Sequence, residues 1–226
     1  MELKILYEDN DIIVVVKPPK VPSQPDKTGD EDMLSCIIKH SKTAEIGLIH
    51  RLDRPVGGIM VFGKTKKSTD ILNKCVADKT IEKTYYAVVC GDMKNKTGVL
   101  EDYLLKNQKL NLSKVVQKGT PNAKYALLEY EVISKIYDEK YKELNLVKIS
   151  LKTGRHHQIR VQFSNNNTPL WGDNKYNDEF KRSRGWTQIA LWSGGLKFNH
   201  PITKKEMDFE IKPEGEIFEK FYFNCG

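Results

Sequence analysis

The sequence predicts an α+β domain built on a mixed, mainly antiparallel central sheet with flanking helices. Short strand-like runs recur along the whole chain, and only a few segments show helical periodicity. No internal repeat, low-complexity tract or shift in composition marks a linker. We therefore expect a single domain over residues 1–226.

The first half of the chain alternates predicted strands with two short helices. Residues 12–16 are apolar and β-branched throughout, which predicts a strand buried on both faces. Prolines make residues 17–25 a rigid loop, because proline lacks a backbone donor and restricts its neighbours. The other elements predicted here are strands at 3–7, 59–62 and 82–90, a helix at about 31–40, and a helix that begins near Thr65 or Ser68.

The second half is mostly β. Residues 98–153 carry strand signals, and Val147, Ile149 and Leu151 alternate with polar residues in a half-buried pattern. A helix is predicted to begin near Gly154, since four side chains then fall at i, i+3, i+4 and i+7 on one face: His156, Ile159, Arg160 and Phe163. Strands at 188–192 and 207–211 and a helix at 217–221 complete the prediction.

The composition excludes several classes of protein. With 39% hydrophobic and 30% charged residues, the 226-residue chain is neither disordered nor fibrous. Its longest apolar run, residues 12–16, is far shorter than the ~20 residues of a membrane helix, and the first residues lack the apolar region of a signal peptide. We expect a cytoplasmic protein without membrane association. The four cysteines are far apart and are expected to be reduced thiols rather than metal ligands.

The net charge of +7 favours a polyanionic partner such as nucleic acid. Only six of the 37 basic residues are arginines, and four of these lie in two short segments, Arg51 and Arg54 in one, Arg155 and Arg160 in the other. Arginine offers a planar bidentate donor that lysine cannot imitate. The run 181–186, Lys-Arg-Ser-Arg-Gly-Trp, is either an RNA-binding strip or a solvated turn.

Two segments could carry chemistry. His50-Arg51-Leu52-Asp53 places a carboxylate in a loop after a strand, where it could also be a surface turn with an ion pair. Arg160 lies on the inward face of its predicted helix and therefore needs a carboxylate or an anion, unless it reaches solvent. Asp53 is a good candidate for that carboxylate, and the pairing would keep it ionised.

The order of several motifs resembles the RluA-type family of RNA pseudouridine synthases. The motifs are Lys17-Pro18, His50-Arg51-Leu52-Asp53, Lys83-Thr84-Tyr85, the run 151–160 (Leu-Lys-Thr-Gly-Arg-His-His-Gln-Ile-Arg), Gly172-Asp173-Asn174-Lys175-Tyr176 and His200-Pro201. The resemblance runs from about residue 11 to the end. It implies a catalytic domain with a cleft across its sheet. It also implies an isomerase that converts uridines of ribosomal or transfer RNA to pseudouridine without a cofactor or metal. Many relatives carry an S4-type RNA-binding module ahead of the catalytic domain, but we expect none here because the first motif begins near residue 11.

The resemblance also implies roles for individual residues. Asp53 matches the catalytic aspartate, Tyr85 the active-site tyrosine, and Arg160 the arginine that pairs with the aspartate. Arg51 matches the arginine that displaces the target base, while His50, Arg155 and Gln158 are further candidates for substrate contacts. Departures from the common pattern are Val56-Gly57-Gly58 in place of Thr-Ser-Gly, and Trp192 in place of histidine.

The chemistry leaves alternatives open. The carboxylate of Asp53 can act as a nucleophile at C1′ or as a base at C2′, and Tyr85 can take a proton from C5, relay it, or pack against the base. The strand pattern around Tyr85 is equally that of a core residue. We expect a monomer with RNA as its partner. The competing functions are a catalytically inactive RNA-binding protein with the same fold, and a hydrolase that uses two carboxylates.

Overall fold

The fold is described from a computed structural model that covers residues 1–181 and 186–222. Most of the run 181–186 thus lies outside the described residues. Within the described part the strands are β1 Lys4–Glu8, β2 Ile12–Lys17, β3 Gly47–Leu48, β4 Gly57–Gly63, β5 Glu82–Cys90, β6 Thr97–Asn107, β7 Leu112–Val116, β8 Lys124–Asp138, β9 Lys142–Leu151, β10 Leu191–Asn199 and β11 Glu206–Glu210. The helices are α1 Met33–Ser41, α2 Lys66–Ala77, α3 Gln158–Asn165, α4 Asp178–Lys181 and α5 Glu216–Tyr222.

The chain divides into two compact units. The first comprises residues 1–83 and 193–213, with strand order β1-β2-β4-β10-β11 and β3 paired to β4. The second comprises residues 84–192 and 214–226, with strand order β5-β9-β8-β6-β7. The pairs β1–β2, β2–β4, β3–β4 and β10–β11 of the first unit, and β5–β9, β8–β9, β6–β8 and β6–β7 of the second, are antiparallel, which confirms the predicted mainly antiparallel fold class. The single domain over residues 1–226 stays a prediction.

The core of the first unit forms around β2 and β4. Every residue of β2 is buried, as the apolar run predicts, and β4 is buried along its whole length. The core members are Ile12, Val14, Ile49, Ile59, Val61, Leu72, Ile81, Leu196, Phe198 and Met207. Helix α2 begins after Thr65, whose hydroxyl accepts the Ser68 N–H while the Ser68 hydroxyl accepts the Thr65 N–H, so the predicted start is confirmed. This core supports the loop between β3 and β4.

The start of α3 differs from the prediction. The helix begins at Gln158 rather than near Gly154, because His157 has a left-handed backbone conformation with φ 54°. The loop ahead of it is held by a side chain instead of by helical hydrogen bonds. The amide oxygen of Gln158 accepts the Thr153 hydroxyl at 2.8 Å and the Arg155 N–H at 3.0 Å. His156 therefore does not share a helical face with Arg160, whereas the predicted burial of Arg160 is confirmed at 3% exposure.

The strand predicted at 188–192 is also displaced, since β10 runs from Leu191 to Asn199. Ala190 is hydrogen-bonded outside a regular strand, its N–H to the Trp171 carbonyl and its carbonyl to the Val88 N–H. The true strand contains Gly194 and Gly195, which have low strand propensity and are buried there by tertiary pairing.

No helix among the described residues is long and apolar enough to cross a membrane.

Candidate active site

The loop that carries Asp53 lies between β3 and β4 in the first unit. Leu52 is buried, Arg51 is exposed, and Asp53 is half-buried. The carbonyl of Asp53 accepts the Val56 N–H at 2.9 Å, which closes a turn immediately after the carboxylate. The loop therefore carries the Asp53 carboxylate two residues after an exposed arginine, with the buried Leu52 between them.

Ser23 holds the peptide groups next to Asp53. Its hydroxyl donates to the Leu52 carbonyl at 2.9 Å and accepts the Leu52 N–H at 3.1 Å. The Ser23 side chain is buried, so both bonds are shielded from water. Motif reasoning missed Ser23, because a serine within the proline-rich segment carries no signal of its own.

Lys17 supports the other side of the same loop. Its ammonium is completely buried and donates to three carbonyls, those of Pro18 at 2.9 Å, Val21 at 2.7 Å and Arg54 at 3.2 Å. Burial lowers the pKa of Lys17 to about 7, while the charge of Asp53 acts in the opposite direction. Three N–H groups of the ammonium match three carbonyl acceptors, so the proline-rich loop and the Arg54 peptide are tied to one point.

Arg54 joins the loop to an exposed acidic segment. Its guanidinium donates to the Thr28 hydroxyl at 2.9 Å and to Asp26 at 3.4 Å, and it forms an ion pair with Asp30. These carboxylates have lowered pKa values because of hydrogen bonds from Thr28 and Arg54. Arg54 thus neutralises acidic groups on the segment that follows Ser23.

His50, predicted to contact the substrate, is buried in the first unit. Its Nε2 accepts the Val61 N–H at 3.3 Å, which places the ring against β4. Burial, with the charge of Lys83 as a second cause, lowers its pKa well below the ordinary value, so the ring is neutral. The structure gives His50 a contact to β4, and its predicted contact with substrate stays a prediction.

The departure from Thr-Ser-Gly ends at a position that requires glycine. Gly58 has φ +120°, and a Cβ there would lie 2.2 Å from the Ser193 carbonyl oxygen. Val56 is buried, and Trp192, the second departure, is fully buried in the other unit. Both departures therefore fall on packed positions.

Arg160 forms a buried ion pair with Asp173 in the second unit. Its Nε lies 2.8 Å from Oδ2 and its Nη2 lies 2.7 Å from Oδ1, with both side chains at 3% exposure or less. Asp173 also accepts the Lys175 N–H at 2.9 Å and the Tyr176 N–H at 3.2 Å. Sequence reasoning required an acidic partner for Arg160 but did not find Asp173, although it lies in the Gly-Asp-Asn-Lys-Tyr motif. The pairing of Arg160 with Asp53 stays a prediction.

Residues ahead of α3 are braced in the same unit. Arg155 is exposed and its Nε donates to the Tyr125 carbonyl at 2.8 Å, while the buried Gln158 donates to the Leu127 carbonyl at 3.2 Å. Burial lowers the pKa of His157 to about 2, with the Arg160 charge as the next cause. Of the two predicted substrate contacts in this segment, Arg155 is open to solvent and Gln158 holds the loop.

Tyr85 lies on β5 opposite Ile149 of β9 and is buried at 7% exposure. Its burial agrees both with a core position and with a closed binding site. Its predicted catalytic role stays a prediction.

One group of potential metal ligands occurs within residues 1–181 and 186–222: Asp9, Asp11 and His200 of the first unit. The Asp9 carboxylate and the His200 ring already form hydrogen bonds. The Nδ1 atom of His200 accepts the Ile202 and Thr203 N–H groups, and its Nε2 lies 2.9 Å from Asp9. Because Nδ1 is an acceptor, Nε2 carries a proton and donates it to Asp9. The group is therefore the turn between β1 and β2, joined by a hydrogen bond to His200, which follows β10.

Comparison with known proteins shows the family to which the chain belongs. The family model described as RNA pseudouridylate synthase matches residues 11–165. The chain belongs to the RNA pseudouridylate synthase family. This pseudouridine synthase is accordingly an isomerase that acts on RNA, as the motif order predicts.

Curated relatives agree with that assignment. The synthase is 31% identical over 223 residues to ribosomal large subunit pseudouridine synthase C of Vibrio vulnificus, covering 96% of this chain and 67% of the relative. It is 29% identical to ribosomal large subunit pseudouridine synthase D of Vibrio cholerae, covering 97% and 70%. The chain thus spans about two thirds of the length of these relatives.

Solved structures share the fold of the synthase. Human RNA pseudouridylate synthase domain containing 1 superposes with a TM-score of 0.77 at 20% identity, covering 94% of this chain and 84% of the other. Human RNA pseudouridylate synthase domain containing 4 superposes with a TM-score of 0.75 at 21% identity, covering 96% and 90%.

Proposed function

We propose that this pseudouridine synthase modifies uridines of ribosomal RNA and that Asp53 is its catalytic carboxylate. The observation that carries the assignment is the support of the Asp53 loop, whose peptides on either side of the carboxylate are bonded by the buried side chains of Ser23 and Lys17. Such support is what a reacting group needs to keep a fixed geometry. The ribosomal substrate rests on the names of the relatives.

The reaction breaks the glycosidic bond of a uridine, turns the uracil, and rejoins C5 to C1′. As a nucleophile, the Asp53 carboxylate would bond to C1′ as the uracil leaves, and that bond would break when C5 attacks. As a base, it would take the C2′ proton as the uracil leaves, which forms a C1′–C2′ double bond, and it would return the proton to C2′ as C5 adds to C1′. Both routes remain open for Asp53, because each needs one ionised carboxylate near the sugar.

Tyr85 and Arg160 are proposed to serve the same reaction. Rejoining through C5 leaves a proton on that carbon, and we assign its removal to Tyr85, directly or by relay. An unassisted phenol is a poor base at neutral pH, so a relay to a carboxylate is the easier route. Arg160 would keep the Asp53 carboxylate ionised. Its bidentate pairing with Asp173 supports this proposal, because it shows that the guanidinium binds carboxylates.

Arg51 is proposed to assist base flipping. A stacked uridine must leave its helix before it can react, at a cost of about a few kcal/mol. The guanidinium of Arg51 is exposed and can stack in the vacated place, which a lysine ammonium cannot do. His50, Arg155 and Gln158 are proposed to serve substrate binding. Arg155 would contact the substrate directly, and the buried His50 and Gln158 would act by holding their loops. We further propose that the enzyme acts as a monomer in the cytoplasm.

The deciding experiment compares Asp53→Asn with wild type on a defined ribosomal RNA fragment. We expect pseudouridine from the wild type and a loss of at least about 10³-fold in rate for the variant, since the reacting carboxylate is removed. Asp208→Asn is the matched control, because that exposed carboxylate also lies in the first unit. Equal pseudouridine formation by wild type and Asp53→Asn would overturn the catalytic role of Asp53, whereas no pseudouridine from either would support the inactive RNA-binding alternative. Release of free uracil would indicate the hydrolase.

A further inference from the structure

Tyr176 touches Arg160 in two ways. The guanidinium carbon of Arg160 lies 5.3 Å from the centre of the Tyr176 ring, a distance typical of a cation over an aromatic face. The backbone N–H of Tyr176 donates to Asp173, the carboxylate that binds the guanidinium. Arg160 is thus held by a carboxylate from one side and by a ring from another, and both come from the segment 173–176.

The ring of Tyr176 is itself fixed at its far end. Its hydroxyl accepts the Ser113 N–H at 2.7 Å and lies 2.8 Å from Nδ1 of His157. The Ser113 N–H donates to this oxygen, and a second hydrogen bond joins the oxygen to the His157 ring. The two hydrogen bonds fix the position of the hydroxyl oxygen, and the His157 ring packs edge-on against the Tyr176 ring with centroids 5.5 Å apart, so the ring beside Arg160 is held in place.

The same network reaches the hairpin formed by β6 and β7. The Ser113 hydroxyl bonds to His156, the Lys175 ammonium donates to the Asn111 carbonyl at 3.0 Å, and the Ser164 hydroxyl donates to the Tyr176 carbonyl at 2.8 Å. Hairpin, helix α3 and the segment 173–176 therefore meet at Tyr176, the residue that contacts the guanidinium.

We infer that Tyr176 is a positioning residue that orients the guanidinium of Arg160 for pseudouridine formation, with the β6–β7 hairpin as its support. The inference rests on the proposed role of Arg160. It concerns the reaction step rather than RNA binding, because the ring and hydroxyl of Tyr176 are engaged with protein groups. A displaced guanidinium lowers kcat, whereas the affinity for RNA is left unchanged.

The test is a series at position 176 measured on one RNA fragment. Tyr176→Phe keeps the ring and removes the hydroxyl, and we expect kcat to fall about 5-fold. Tyr176→Leu also removes the aromatic face, and we expect a fall of about 50-fold, with KM within about twofold of wild type in both variants. Tyr103→Phe, which removes a phenol oxygen from a partly buried tyrosine of the same hairpin, is expected to keep full activity.

A second measurement reports on the guanidinium without activity. The Arg160 Nε–H signal in nitrogen-15 NMR is identified by its loss in Arg160→Lys. We expect this signal to shift slightly in Tyr176→Phe and to exchange with water at least about 10-fold faster in Tyr176→Leu. The phenylalanine variant retains the ring packing, so it keeps the comparison usable if the leucine variant folds poorly.

The outcomes separate this inference from the proposed function. If Arg160→Lys retains full kcat, Arg160 has no role in the reaction and both the assignment and the inference are overturned. If Arg160→Lys loses activity while both Tyr176 variants keep kcat within twofold of wild type, only the inference is overturned. A rise in KM that accounts for the whole loss would also overturn it, because Tyr176 would then act in RNA binding.

Discussion

The two proposed catalytic groups are held in different ways. Asp53 lies half-buried on a loop, and the structure fixes the peptides around it through Ser23 and Lys17. Arg160 lies on a helix, fully buried, and the structure holds its charged group directly through Asp173. The comparison teaches that a group that must meet substrate can be positioned through its backbone, whereas a group that shapes the site can be fixed through its own side chain.

The largest effect that this comparison predicts concerns the buried ion pair. Asp173→Asn removes the carboxylate charge that faces the Arg160 guanidinium, and breaking such a pair costs about 3–5 kcal/mol of unfolding free energy. Asp53→Asn changes a half-exposed side chain, so it should lower the free energy of unfolding less than Asp173→Asn does and lower the activity more. Urea unfolding of both variants measures the difference.

The control for Asp173→Asn is Asp178→Asn, which removes the carboxylate of an exposed ion pair with Lys181. We expect a change within about 0.5 kcal/mol there, because exposed pairs contribute little. A loss smaller for Asp173→Asn than for Asp53→Asn would contradict the contrast between the two regions.

The sequence predicts much of this arrangement but not the supports. Strand and helix signals locate most elements, since burial and periodicity are local properties. The errors at α3 and β10 arise where tertiary contacts decide, through the Gln158 side chain in one case and the buried glycines of β10 in the other. The need of Arg160 for a carboxylate can be inferred from its inward face. The identity of Asp173 cannot, because the two residues are 13 positions apart and only the folded chain brings them together.

The next effect concerns two neutral histidines, one in each region. Burial lowers the pKa of His50 and of His157. As the pH falls below about 6.5, these side chains therefore bind protons in the unfolded chain but stay neutral in the folded chain. Their stabilising contribution is complete above the unfolded pKa and is lost as the pH falls below it. Each histidine should therefore lower the free energy of unfolding by about 2 kcal/mol as the pH falls from 7 to 5.

Unfolding measured across this pH range tests both regions separately. His50→Gln and His157→Gln should each flatten the acid side of the stability curve by a similar amount, and the double variant by about the sum, since the two sites belong to different units. A curve as steep in the double variant as in wild type would show that other groups dominate acid unfolding.

The smallest predicted effect on stability tests the support of Asp53. Ser23→Ala leaves the buried Leu52 N–H and carbonyl without their partner hydroxyl, which should cost about 1–2 kcal/mol of unfolding free energy. Because the altered peptide immediately precedes Asp53, we also expect kcat to fall several-fold with KM unchanged. Ser193→Ala is the matched control, since it removes a buried hydroxyl that bonds the Ile59 carbonyl in the same unit. Ser23→Thr keeps the hydroxyl and should recover part of kcat. If both alanine variants lost stability equally and neither changed kcat, Asp53 would not depend on its backbone supports, and the contrast with Arg160 would reduce to a difference in burial.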